Sequence, residues 1–174
     1  LIESIVEVMA VHRNFSAEID RCILSEDEMV DTASSELNAI RRAIVRQNDA
    51  VKAKMNHILN AERTILQDAI VTIRNGRYVI PVKQEHRGKI PGIIHDQSGS
   101  GATLFVEPQA IVNMNNELRQ LELDEKAEMD RILGELSSGV SEIYHDLVNN
   151  QKLLLALDLI NAKGRLSLDM DGCE

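Results

Sequence analysis

Residues 70–108 read IVTIRNGRYVIPVKQEHRGKIPGIIHDQSGSGATLFVEP, and they differ in kind from everything on either side. Ile70–Ile73 is β-branched, Asn75-Gly76 is a strong two-residue turn signal, and Tyr78–Val82 is β-branched and aromatic again. That order predicts an antiparallel hairpin closed by a tight turn. Ile90–His95 and Ala102–Val106 are two further strand candidates, joined by Asp96-Gln97-Ser98-Gly99-Ser100-Gly101. About four short strands are therefore expected here.

The breakers of regular structure mark the same window. Residues 1–75 contain neither Gly nor Pro, whereas Pro81, Pro91, Pro108, Gly76, Gly88, Gly92, Gly99 and Gly101 all fall within 76–108. Outward from the insert the apolar period becomes helical. Leu37, Ile40, Ile44, Val51, Met55, Ile58, Ile65 and Ala69 fall on one helical stripe. Asp31 or Thr32 is the expected cap, with Glu36 complementing the dipole and Arg41, Arg42, Arg46, Asp49, Lys52 and Lys54 forming a solvated face. Pattern alone leaves open whether this helix runs through Asn60–Glu62.

On the far side, Ile111, Met114, Leu118, Leu121, Met129, Ile132, Leu136, Val140, Ile143 and Leu147 alternate by threes and fours, with Glu125 as the polar occupant. That predicts one long helix with a narrow seam, in which Gly134 and Gly139 could mark a bend. Leu153–Leu168 reads as a further helix packed on all sides, and Ser25–Asp31 (SEDEMVD) as an acidic turn. The expected fold class is mainly α: long antiparallel helices with a small β-rich insertion, divided into 1–69, 70–108 and 109–174.

Composition bounds the chemistry. The 174 residues are 44% hydrophobic but only 2% aromatic, so the core must be aliphatic. No run approaches the roughly 20 apolar residues of a membrane-spanning helix, and no membrane partner is expected. Cys22 and Cys173 lack metal-ligand spacing and are expected as reduced thiols, and the histidines (His12, His57 and His145 among them) as core or surface residues. SGSGAT has no Lys at the spacing of a phosphate-binding loop. His95, Asp96, Ser98 and Ser100 have the residue types of a hydrolase triad, yet neighbours on a strand face opposite ways. Neither a catalytic site nor a metal or cofactor site is expected in this chain.

A net charge of −9 argues against general affinity for nucleic acid. The average conceals residues 70–91, where Arg74, Arg77, Lys83, Arg87 and Lys89 stand against Glu85 alone, a local +4. A basic, glycine-containing hairpin on an acidic helical body suits contact with phosphates. An ordinary solvated tip balancing acidic neighbours has the same composition, and charge by itself does not choose. The chain opens without Met inside an amphipathic pattern and closes just after an apolar helix, as expected of a domain from something longer.

The stretch IRNGRYVIPVKQEHRGKIPGIIHDQSGSGATLFVEPQAIVNMNNEL (73–118), with ELNAIRRAI before it and RLSLDMDG after it, closely resembles the bacterial MutS paralogues of the second subfamily. The resemblance covers most of the chain. It implies a helical core and lever bearing a β-rich insertion in the position of the MutS clamp, which touches the nucleic-acid backbone. It further implies a parent protein that is an ATP-hydrolysing endonuclease, a homodimer in the bacterial cytoplasm. ATP and Mg²⁺ would be held in an ATPase domain outside this chain, and a Smr nuclease domain would lie further on. Branched DNA in recombination control, or collided ribosomes and their RNA in ribosome rescue, would be the partners. Arg74, Arg77, Lys83, Arg87 and Lys89 are then the expected backbone contacts. The Asp96–Gly101 segment would be structural, beside a helix start at Pro108. A purely mechanical or dimerising helical element, with no nucleic-acid contact of its own, is the competing reading.

Overall fold

The computed structural model describes residues 2–170 and Gly172; Cys173 lies outside the described residues. The chain is mainly α, with a small antiparallel sheet, and it divides into two compact units. One comprises residues 31–129; the other joins the residues up to Val30 with those from Asp130 onward.

In the first unit, α3 (Ser35–Ala61) and the leading part of α4 (Val112–Glu142) run antiparallel. Three side-chain bonds fix that register: Ser34 Oγ to Glu128 (2.6 Å), Arg41 Nε to Glu125 (2.7 Å) and Gln47 Nε2 to Glu117 (2.9 Å). The N-cap of α3 is Ser34, not Asp31 or Thr32, which lie in a one-turn 3-10 helix (Asp31–Ala33) just before it. Ser34 Oγ accepts from the Leu37 N–H at 2.9 Å, satisfying one of the helix's open donors. Ser34→Ala removes this cap and the Glu128 bond together. We expect it to cost about 1 kcal/mol in urea unfolding.

One further expectation for this helix needs correction, and the point where it ends, left open by pattern, is fixed. Arg41 is not part of the solvated face: it bonds Glu125 and Asp31, giving the polar occupant of the α4 seam its partner. The helix also stops at Ala61, although Ile65 keeps the helical spacing. Ile65 is buried at the end of a turn and Leu66 in a β-bridge to Val82, where Gln67 N–H donates to the Pro81 carbonyl and Lys83 N–H to that of Ile65. Pairing with a strand overrides a continuous apolar stripe.

The sheet consists of β3 (Thr72–Arg74), β4 (Arg77–Lys83), β5 (Gly92–Gln97) and β6 (Thr103–Pro108), in the order β3-β4-β6-β5 with every pairing antiparallel. These are the four strands expected from the sequence. Asn75 (φ 52°) and Gly76 (φ 72°) both take the left-handed conformation that a tight hairpin turn requires. Ile80 and Val82 of β4 and Leu104 and Val106 of β6 join Val51, Met55 and Leu59 of α3, with Ile111, in one aliphatic core. Tyr78 completes the contact by donating its hydroxyl to Asn48 of α3 at 2.7 Å. The sheet thus sits where α3 ends and α4 begins.

The second unit holds α1 (Ile2–Glu7), α2 (Arg13–Cys22), a short hairpin of β1 (Ile23–Ser25) and β2 (Glu28–Met29), the end of α4, and α5 (Tyr144–Asp169). The acidic segment expected as a turn is thus partly strand, and it buries Met29. Asn150 clamps Ala10 in both directions, accepting from its N–H (3.0 Å) and donating to its carbonyl (2.7 Å). The long second arm is not one helix: it breaks at Ile143, so Leu147 belongs to α5. Gly139 makes room for the Phe15 ring, since a Cβ there would lie 2.9 Å from Phe15 Cζ. Nor is α5 packed on all sides, for Leu154, Leu155, Leu159, Leu166 and Leu168 are all exposed. Cys22 is a free, buried thiol, and burial pushes its pKa up, away from the reactive thiolate.

Candidate nucleic-acid interface

The five basic residues fall into two groups. Arg87 and Lys89 flank Gly88, whose φ of +83° turns the chain between β4 and β5. Both are exposed, and neither side chain has a partner among the described residues. Lys83, at the end of β4, makes one long bond to the Thr64 carbonyl (3.4 Å). Lys83 immediately precedes the 3-10 helix Gln84–His86, and Arg87 and Lys89 line the turn that follows it.

Arg74 and Arg77 are committed elsewhere. The Arg74 guanidinium lies over the Phe105 ring, 4.2 Å from its centre, and pairs with Asp96 at 3.4 Å. Arg77 donates to Glu107 Oε1 at 2.6 Å and to the side-chain carbonyl of Asn116. The first hairpin bends back toward β5, where the Asn75 side chain reaches the His95 carbonyl at 3.5 Å.

Glu107 is the residue that sequence reasoning missed. It sits in β6 with no exposed surface, held by side chains from three other elements. Arg77 comes from β4 and Asn115 (2.7 Å) from the start of α4; His95 Nε2 (2.5 Å) comes from the point where the β5 register shifts. Asn115 also bridges to the Tyr78 backbone, donating to its carbonyl at 3.2 Å. Burial raises the Glu107 pKa. The bonds from Asn115, His95 and Arg77 more than offset this and hold the carboxyl below its usual range. An acidic residue between Val106 and Pro108 was the available signal, since a charge among core positions must be paired.

His95 faces Glu107, not Ser98 or Ser100, so the triad types do not converge. No cluster of three potential metal ligands occurs among the described residues, nor is any described helix long and apolar enough to cross a membrane.

Fold and site together define a pair of antiparallel helices that carries a small, internally braced β element with a cationic turn. No protein-family model matches the chain. Its similarity to curated proteins is extensive: it is 49% identical over its whole length to the protein named Endonuclease MutS2 of Alkaliphilus metalliredigens and 47% to that of Clostridioides difficile. Endonuclease MutS2 of Alkaliphilus oremlandii is 50% identical over 93% of the chain. The chain spans about a fifth of the length of these relatives (22%, 22% and 21%). Over its length it matches a segment of the MutS2 family's sequence.

Proposed function

We propose that this chain is the lever-and-clamp-like segment of a MutS2-type protein, and that it contacts the sugar-phosphate backbone of nucleic acid. Residues 70–108 form the clamp-like part, with 1–69 and 109–174 as the helical arm. The observation that carries the reading is the pair of exposed, unpartnered cations Arg87 and Lys89 on the turn beyond β4. With Lys83 they present charge to phosphates without any apparatus for reading bases. Arg74 and Arg77, the other two cations of the insertion, are engaged by Asp96 and Glu107. Hydrolysis of ATP with Mg²⁺, nuclease action and homodimerisation would belong to parts of such a protein outside this chain, acting in the bacterial cytoplasm.

The test uses the whole protein carrying this segment. Arg87→Glu with Lys89→Glu should weaken binding to branched DNA roughly tenfold or more and lower the salt dependence of log K by roughly two. Unchanged affinity and an unchanged salt slope would sink the proposal. The same variant assayed against ribosomes distinguishes the two nucleic-acid targets. A mechanical role is favoured by a different observation, the bonding of Asn115 and Asn116 of α4 to Glu107 and Arg77, which ties the sheet to the helix. It predicts normal binding in the charge-reversed protein.

A further inference from the structure

The Ser98–Gly101 turn contains a glycine that the fold does not explain. A glycine widens the unfolded ensemble, and so weakens a fold, unless backbone or packing requires it. Gly76, Gly88 and Gly101 have positive φ, and Gly92 lies against the Glu107 backbone. Gly99 has neither reason: its φ is not positive, and a Cβ there would meet nothing within 4 Å. Open space on this side means that the chain itself does not come close. Gly134 and Gly164 also meet nothing, but they lie within helices; in an exposed turn, such room suits close approach by something else.

The backbone here is prepared for such an approach. The turn closes through Gly101 N–H to the Ser98 carbonyl at 2.8 Å, while Ser98 N–H is taken by Thr103 at 2.9 Å. The N–H groups of Gly99 and Ser100, between them, have no acceptor among the described residues, and both residues are exposed. Lys83 stands at the same end of the sheet: it pairs in register with Thr103, and the next residue, Gln84, donates its N–H to the Ala102 carbonyl at 2.9 Å. Two free amide donors and the backbone of Lys83 thus share one end of the sheet.

We infer that the Ser98–Gly101 turn is a second phosphate contact, where the Gly99 and Ser100 amides donate to a non-bridging phosphate oxygen of the nucleic-acid backbone. A side chain at 99 would hold that phosphate off. This rests on the proposed function and adds a contact that carries no charge of its own. Neutral backbone donors position a duplex without contributing to counterion release.

The experiment measures binding of branched DNA by the whole protein with Gly99→Val, Gly99→Ala, and Arg87→Glu with Lys89→Glu. The valine variant should bind roughly tenfold more weakly and the alanine variant less so. The salt slope should be unchanged, because no cation is lost, and the melting temperature should match that of the parent. If Gly99→Val binds normally while the charge-reversed protein does not, this inference falls and the cationic turn stands. If neither substitution changes binding, both readings fall. A lower melting temperature for Gly99→Val would also overturn the inference, by showing that the fold needs the glycine.

Discussion

Glu107→Ala should destabilise the unit around the sheet by about 3–5 kcal/mol, measured by urea unfolding. The carboxylate has no exposed surface, and removing it leaves the part-buried guanidinium of Arg77 and the buried amide of Asn115 without their shared acceptor. Unpaired buried donors cost more than the pairing contributed, because each loses its hydration without replacement. Glu107→Gln keeps the shape and should cost less. It also isolates the pH dependence. Folding holds the Glu107 carboxyl below its ordinary value of 4.5, so the folded protein favours the charged form. Its contribution to stability is full above that ordinary value and is lost as pH falls through the lower, folded value. The stability gap between parent and Glu107→Gln should therefore be constant near neutrality and close progressively below about pH 4.5. A gap that persists unchanged at low pH would show that the carboxylate is not charged in the fold.

Gly92→Ala should cost about 1–3 kcal/mol and loosen β5 from β6. A Cβ at this position meets the Glu107 carbonyl group, at 2.9 Å from its carbon, and the Pro108 Cα at 3.0 Å. These are backbone atoms, so no side chain can swing aside. The strands must part at the Gly92↔Pro108 pair, next to the residues that hold Glu107. Amide hydrogen exchange across Ile93–Gln97 should accelerate, and protection equal to the parent's would refute the argument. The two substitutions probe one brace from its side chain and from its backbone.

Both positions were quotable from the sequence, and only one was informative there. Asn75-Gly76 announced its turn because the required left-handed conformation is local chemistry. The four strands and the antiparallel helices were likewise legible, since period and breakers are properties of neighbouring residues. The end of α3 was not legible. Ile65 keeps the helical spacing but lies in a turn, because Leu66 bridges to Val82 and its neighbours pair with Pro81 and Lys83. The break at Ile143 also escaped, as no Gly or Pro stands there.

The basic residues show the same division. Sequence summed five cations in residues 70–91 and could not tell them apart. Arg77 lies three residues from Arg74 and ten from Arg87, yet it is bound to a buried carboxylate, Arg74 covers an aromatic ring, and Arg87 has no side-chain partner among the described residues. Charge-reversing Arg77 would accordingly test the brace more than the contact.

By itself the sequence determined the class of this protein: aliphatic helices, a four-stranded insertion, a local positive charge and a close kinship with MutS2 endonucleases. Each of these is encoded by residue type and short-range order, which survive without coordinates. Which cations remain available, where each helix stops, and why a glutamate lies in the core were decided only by the tertiary structure. A charge is free or spent according to what the fold brings within hydrogen-bonding reach, and Glu107 lies 30 residues from Arg77.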